Sequence, residues 1–214
     1  MGPNNPIINR VRQNLGRSSR SGLSERPPVL PPRRQGNLAE EIDLLIDEIR
    51  KLSGEAKRVT TTTLEEDLKE MITKEEIKKA VVWPTPWLAQ LGIKDLMENN
   101  NVAVIHHDAD KHTLASCDLG ITEVDFVIPD TGTIGLLSGK TKPRSVSLLP
   151  RVHLALVSPT AFRPDLHQVL EESGKENYMV LITGPSRTAD IELTVALGVH
   201  GPKSLYAWVL EQIS

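Results

Sequence analysis

The sequence predicts an α/β protein in which an open, mostly parallel sheet is flanked by helices. Short apolar runs alternate with helical stretches from residue 80 onward, and this alternation is typical of α/β sheets. Several of the runs are apolar on both sides, as central parallel strands covered by helices are. The chain has 214 residues, 39% of them hydrophobic and 25% charged, so it can form one large domain with a buried core.

The charge distribution divides the chain into a basic arm, residues 1–36, and a folded body, residues 37–214. Up to residue 37 the chain has seven arginines and one acidic residue, whereas the rest has 18 basic and 27 acidic residues. Residues 7–15 have the spacing of a short amphipathic helix, and the Ser-, Arg-, Gly- and Pro-rich stretch up to 37 favours an extended linker. Because the arm has no aromatic residues to stack on bases, we expect it to contact an acidic protein surface, or nothing, rather than nucleic acid.

Composition also excludes several classes of protein. No apolar run reaches the roughly 18 residues of a membrane-spanning helix, and polar residues interrupt the N-terminus before a secretory signal could form. The lone cysteine, Cys117, cannot supply the thiolates of a typical iron–sulfur cluster; we expect a buried, inert thiol there. Neither a P-loop nor a dinucleotide fingerprint occurs. We therefore expect a cytoplasmic protein with no membrane contact and no intrinsic cofactor.

The body begins with predicted helices. A capping box at Asn37 and Glu40 starts the first, whose apolar side chains recur on one face until Gly54 ends it. Two further capping pairs predict short helices, Thr63 with Glu66 and Thr73 with Glu76.

Strands follow, with helices between them. The predicted strands are 80–83, 102–106, 126–128, 133–137, 153–157, 178–183 and 205–210, and the predicted helices are 87–91, 164–173 and a short turn near Ala189. In open α/β sheets, ligands bind at the carboxyl ends of strands where the strand order reverses. The loops after strands are therefore where we search for a site.

The first candidate loop is 128–133, which joins two apolar runs. Gly132 permits a positive φ or a close backbone approach, and amides around such a glycine can bind an anion. Thr131 and Thr133 add hydroxyls, and the carboxylate of Asp130 could accept a proton or orient a ligand hydroxyl. The alternative is a hairpin turn whose threonines satisfy local backbone groups.

The second candidate loop, 183–192, follows the strand predicted at 178–183 and leads into a predicted helix start. Gly184, the hydroxyls of Ser186 and Thr188, the Arg187 guanidinium and free amides of that helix start would suit a phosphate or a carboxylate. The acidic residues at 190 and 192 would repel such an anion unless they pair with Arg187 or cap the helix. The alternative is an internally paired structural loop.

Other polar clusters give weaker signals. His106, His107 and His112 lie close in sequence, but His106 and His107 would face opposite sides if the strand continued through them, so we assign no metal site. The basic loop 138–144 either attracts an anion or lies in solvent. His200, in a turn, is either a general acid or base or a histidine bonded to the backbone.

Taken together, several segments resemble the lactate-utilisation protein C family of LUD-domain proteins. The matching stretches are ITEVDFVIPDTGTIGLLSG at 121–139, SVSLLPRVHLALV at 145–157, ITGPSRTADIELTVALGVHGPK at 182–203 and IINRVRQNLGR at 7–17. One position departs from the family pattern, because Pro129 and Asp130 stand where the family usually has Ala-Glu. A shorter Asp130 carboxylate changes any role that depends on the reach of a glutamate.

The resemblance implies a fold similar to that of ribose-5-phosphate isomerases and CoA transferases. It also implies participation in the oxidation of L-lactate to pyruvate with partner proteins, of which at least one binds iron–sulfur clusters. Since that oxidation needs an electron carrier, we expect this chain to be a non-redox subunit.

The alternative is a small-molecule enzyme or a ligand-sensing module that binds a small anionic metabolite. In the enzyme, Asp130 would be the base or nucleophile. The anion would be held by Thr131, Thr133, Ser186 and Arg187.

Overall fold

The computed structural model describes residues 6–14, 16, 36–173, 178–188, 196–197 and 201–211. The chain divides into two compact units, Met1–Pro32 and Arg33–Ser214. In the first unit, helix α1 (Pro6–Asn14) confirms the predicted N-terminal helix. The boundary predicted at 36/37 stays a prediction.

The second unit alternates helices and strands. Its helices are α2 (Leu38–Lys51), α3 (Leu64–Lys74), α4 (Pro86–Gln90), α5 (Ile93–Asn99), α6 (Lys111–Ala115), α7 (Ser145–Leu148) and α8 (Leu166–Glu172). Its strands are β1 (Glu55–Thr60), β2 (Lys79–Val82), β3 (Ala103–Ile105), β4 (Leu119–Glu123), β5 (Phe126–Ile128), β6 (Thr133–Ser138), β7 (Val152–Val157), β8 (Tyr178–Ile182), β9 (Arg187–Thr188), β10 (Ala196–Leu197) and β11 (Ser204–Glu211).

Six strands form a parallel sheet in the order β1-β11-β7-β4-β2-β3. Its centre is apolar on both faces, because every residue of β7 and residues 205–210 of β11 are buried. From β2 the chain continues outward to β3, and from β4 it continues outward to β7 and β11, so the order reverses between β2 and β4. The predicted α/β fold with a mostly parallel sheet is confirmed.

Strands β5, β6 and β8 lie outside this sheet and form an antiparallel sheet of their own. The connection between β5 and β6 is too short for a parallel crossover, which needs a dozen or more residues. Strand β8 pairs antiparallel with β6, and its Tyr178 and Leu181 side chains are exposed. The run at 178–183 is therefore not a central parallel strand. Of the paired strands described, β8 is at one edge of this smaller sheet.

Helix α2 follows from the sequence almost residue by residue. The Asn37 side chain accepts a hydrogen bond from the Glu40 amide, and the Glu40 side chain accepts one from the Asn37 amide, so the predicted capping box is confirmed. The residue with positive φ at its end is Ser53, and Gly54 follows it and donates to the Ile49 carbonyl. The buried face of α2 consists of Glu41, Ile42, Leu45, Ile46 and Ile49.

Both other predicted caps are wrong. Thr63 precedes α3 but makes no cap hydrogen bond, because its hydroxyl bonds to Thr60 instead. Thr73 lies inside α3, where its hydroxyl donates to the Lys69 carbonyl, and Glu76 has a positive φ. The sequence also fails to predict β1 and β4, of which β1 is a sheet edge with charged side chains.

The described helices are short. None of them combines the length and the apolar composition needed to cross a bilayer.

Candidate functional site

The segment 128–133 is the turn of the β5–β6 hairpin. Asp130 lies half-buried in a single 3-10 turn, and Gly132 follows with φ +57° and donates its amide to the Pro129 carbonyl. The Thr131 and Thr133 hydroxyls bond to each other at 2.6 Å. These contacts are those of the hairpin alternative, and a ligand role for Asp130, Thr131, Gly132 and Thr133 stays a prediction.

Gly132 also brings this turn against α2. A Cβ at this position would lie 3.0 Å from the backbone carbonyl carbon of Glu48 and 3.0 Å from the backbone nitrogen of Ile49. Both the positive φ and the close approach therefore require glycine.

The described part of the second predicted loop, residues 183–188 of 183–192, contacts the C-terminal end of the same helix. Gly184 has φ +121°, and a Cβ there would lie 2.9 Å from the Leu52 carbonyl oxygen. The Arg187 guanidinium donates to that oxygen. Arg187 thus satisfies a carbonyl at the C-terminal end of α2, where helix ends favour a cation.

The helix start into which this loop is predicted to lead lies outside the described residues, so the expectation of free helix-start amides stays a prediction. Arg187 and Thr188 are extended and pair with Leu197 and Ala196 of β10. The turn predicted near Ala189 lies outside the described residues, and so does His200, whose role stays a prediction.

The fold brings the two loops to the same end of the small sheet. Ile134 of β6 pairs with Ile182 of β8, so Thr133 and Thr183 leave the sheet side by side. Along α2, one loop meets Glu48 and Ile49 and the other meets Leu52. The two contact points on α2 are therefore about one helical turn apart.

A cavity of about 230 Å³ lies beside the second loop. Its walls come from β8, from residues 183–186, from the start of β11 and from α7, and Ser186 is one of the polar residues lining it. The Ser186 amide donates to the Pro202 carbonyl at 2.9 Å, which holds the loop against residues 201–202. Among the described lining residues, none comes from the 130–133 turn.

His153 lines this cavity and is the residue that sequence reasoning missed. It is 1% exposed in β7, and its Nε2 lies 3.0 Å from the Thr122 hydroxyl. Its Nδ1 is buried with no hydrogen-bond partner among the described residues. Burial lowers its pKa to about 3, so the ring is neutral near pH 7 and offers one donor and one acceptor nitrogen.

A signal for His153 was present in the sequence. The stretch VHLALV is apolar at every position except this one, and a histidine inside a buried strand must have hydrogen-bond partners or a function. We infer that the candidate site is this cavity, with His153, Ser186 and Gly184 on its walls.

Most of the basic loop 138–144 lies in solvent, as the second alternative predicts, because Gly139, Lys140, Thr141 and Arg144 are exposed; Lys142 is the exception. Lys142 Nζ is 2.5 Å from an Asp125 oxygen, 3.8 Å from a Glu123 oxygen and 5.0 Å above the Trp83 ring. Trp83 Nε1 donates to the Pro143 carbonyl at 3.0 Å. Glu123, the last residue of β4, and Asp125, which follows the strand, thus hold the lysine where the strand order reverses.

Cys117 is buried, as predicted, and burial raises its thiol pKa. His106 and His107 directly follow β3, with ring centroids 4.3 Å apart, whereas His112 is exposed in α6. The strand ends at Ile105, so the alternation that would separate the two rings does not apply.

Comparison with known proteins places this geometry in a family. The sequence profile of the LUD domain matches residues 42–210. A lactate utilization protein C from Bacillus subtilis is 28% identical over 96% of this chain and 95% of its own length. Another, from Macrococcus caseolyticus, is 31% identical over 76% of this chain and 74% of its own.

A solved structure agrees with the fold. A DUF162 family protein from Deinococcus radiodurans superposes with a TM-score of 0.58 at 17% identity, covering 83% of this chain and all of that one. The resemblance drawn from the sequence motifs is confirmed, and the chain belongs to the LUD domain family.

Proposed function

We propose that this protein acts in lactate utilisation, as a non-redox subunit of an assembly that oxidises L-lactate to pyruvate. The observation that carries the proposal is the match to proteins named lactate utilization protein C, which extends over 92% or more of this chain and of the Halalkalibacterium halodurans and Bacillus subtilis relatives. Because this chain matches nearly the full length of these relatives, its proposed role is that of one complete lactate utilization protein C.

Iron–sulfur partner proteins complete the proposed assembly. Removing two electrons from lactate needs a carrier, and a typical iron–sulfur cluster needs four thiolates where this chain has one, the buried Cys117. The +6 charge of residues 1–36 suits contact with an acidic partner surface.

Deletion of the gene in its source organism tests the role. The deletion strain should lose growth on L-lactate, keep growth on pyruvate and recover when the full chain is restored. Normal growth on L-lactate after deletion would overturn the proposal.

The assembly is tested on the full tagged chain isolated from cells grown on L-lactate. Iron and L-lactate-oxidising activity should co-elute with the tag, and removal of residues 1–36 should weaken that association. Unchanged association after the deletion would remove the arm from the proposal, and absence of iron and activity from both preparations would refute the assembly.

A second candidate function is the binding or conversion of a small anionic metabolite. The cavity beside Gly184 and Ser186, with His153 among its lining residues, supports it. In the enzymatic version, Asp130 would be the base or nucleophile and Thr131 and Thr133 would hold the anion at the hairpin turn, which does not line this cavity, whereas Ser186 would hold the anion at the cavity itself. Arg187 would have to release the Leu52 carbonyl to hold the anion.

Calorimetry with L-lactate, pyruvate and inorganic phosphate separates these versions. One probe should bind at one site per chain, and Ser186→Ala should weaken it by about tenfold, the effect of one hydrogen bond. Binding that survives Asp130→Asn without any product favours a sensing module over an enzyme. If no probe binds, this second function is excluded for these ligands.

A further inference from the structure

The three residues after β3 form a compact group of metal-binding side chains outside the site described above. One ligand atom from each of His106, His107 and Asp108 can be chosen so that all three lie within 4.8 Å of one another. His107 Nε2 is 3.4 Å from one Asp108 oxygen, and His106 Nδ1 is 3.9 Å from the other. Around a tetrahedral zinc ion with bonds near 2.1 Å, donor atoms lie about 3.4 Å apart.

The local backbone explains why adjacent side chains converge. The Ala109 amide donates to the His106 carbonyl at 3.0 Å, which closes a turn directly after the strand. The Asp108 amide also donates to His106 Nδ1, at 3.3 Å. This is a long hydrogen bond, so a metal ion bound to Nδ1 would replace a weak interaction.

A cavity adjoins the group. It measures about 230 Å³, and both histidines line it, together with Trp83, Thr85 and Lys94. It lies at the carboxyl ends of β2 and β3, the edge of a parallel sheet where ligands bind. His107 keeps 14% of its side chain exposed and His106 keeps 72%, so an ion could reach both rings.

We propose that His106, His107 and Asp108 bind one divalent transition-metal ion of the zinc type. Two imidazoles and one carboxylate form a donor set that zinc accepts, and three protein ligands leave a fourth position for water or substrate. The adjoining cavity gives that position room for a water molecule or a small ligand such as a carboxylate.

Zinc titration of the chelator-treated full-length protein, followed by competition with a chromophoric chelator, tests the proposal. We expect one ion per chain, and a loss of affinity of tenfold or more in both His107→Ala and Asp108→Asn. His112→Ala is the matched control, because His112 is an exposed histidine of the same segment outside the group, and it should bind as the wild type does.

Cobalt(II) supplies a second readout. The visible absorption of bound Co²⁺ should indicate four- or five-fold coordination, and it should change when a small carboxylate such as acetate occupies the open position. Zinc affinity that is equal in the wild type, His107→Ala and Asp108→Asn would overturn the proposal, as would a wild type that binds no ion. Because binding is measured without lactate oxidation, neither result depends on the proposed function.

Discussion

Among the histidines that the structure describes, His153 is the buried one, and its neutrality has a consequence for stability. Its pKa falls from about 6.5 in the unfolded chain to about 3 in the fold, because burial disfavours the charged ring. Between these values the unfolded state binds a proton that the native state does not. Stability is therefore complete above pH 6.5 and declines as the pH falls toward 3.

Replacing this histidine should flatten that decline. We expect His153→Leu to remove a slope of at most about 1.4 kcal/mol per pH unit between pH 6 and pH 4, as measured by denaturant unfolding at a series of pH values. His167→Leu, at an exposed position, should keep the wild-type slope. An unchanged slope in His153→Leu would mean that the ring is already protonated in the native state.

At the scale of elements, both candidate loops contact α2, so the stability of this helix matters for their position. We expect Asn37→Ala to lower the unfolding free energy by about 1 kcal/mol, because it removes the side-chain acceptor of the capping box. Asn37→Asp keeps an acceptor oxygen and should stay within a few tenths of the wild type. Equal losses in both variants, measured by urea unfolding, would contradict the role of the cap.

The packing of the hairpin turn on α2 gives a second prediction at this scale. Gly132 and Gly92 have similar positive φ values, +57° and +65°, but only Gly132 has backbone atoms within reach of an added Cβ. Gly92→Ala should cost about 1–2 kcal/mol for backbone strain. Gly132→Ala should cost more than Gly92→Ala in the same unfolding measurement, because the turn must also move away from α2.

Most elements could be predicted from the sequence because their burial leaves a clear apolar pattern, either continuous along a strand or repeated on one face of a helix. Strand β7 is apolar at nearly every position, and α2 has both a cap and an apolar face. Strand β1 could not be predicted, because it is a sheet edge that carries Glu55, Lys57 and Arg58 in six residues. The assignment of β8 to the smaller sheet depends on which strand it pairs with, and an apolar run does not encode its partner.

The candidate site was predictable only in part, for similar reasons. Gly132 and Gly184 mark the two loops in the sequence; the positive φ considered for Gly132 is confirmed, and Gly184 also has a positive φ. That Arg187 bonds to the Leu52 carbonyl could not be foreseen, since the two residues are far apart in sequence. His153 stands out in the sequence as the polar residue of an apolar strand, but the sequence does not indicate the cavity that it lines.

At the scale of the whole molecule, Asp118 joins the amino ends of three neighbouring strands. Its carboxylate accepts hydrogen bonds from the Lys78 and Lys79 amides at the start of β2, at 2.9 Å and 3.0 Å, and from the Arg151 side chain, which precedes β7. Burial raises the pKa of this carboxyl, but the two amides and Arg151 outweigh it, so the net pKa is lowered.

The charge of Asp118 should therefore stabilise the sheet above its unfolded pKa near 3.9, and this contribution is lost as the pH falls through the lower folded value. We expect Asp118→Ala to cost about 1–3 kcal/mol at pH 7, the range for hydrogen bonds to a charged group. Lys94→Ala, which breaks an exposed pair with Glu98 at 3.7 Å, should cost under about 0.5 kcal/mol. Equal losses of unfolding free energy in the two variants, measured by thermal or denaturant unfolding, would show that the Asp118 contacts stabilise the fold no more than an exposed ion pair does.

The place of β11 between β1 and β7 also governs how this protein is made. During translation β1 emerges early, yet the strand that pairs with it is synthesised only after residues 61–203. Until then β1 and β7 present open strand edges, which are the surfaces through which nascent chains aggregate. We expect a ribosome-bound chain that stops before residue 204 to remain protease-sensitive and to recruit chaperones. The six-stranded sheet should form only once β11 is available to pair with both β1 and β7.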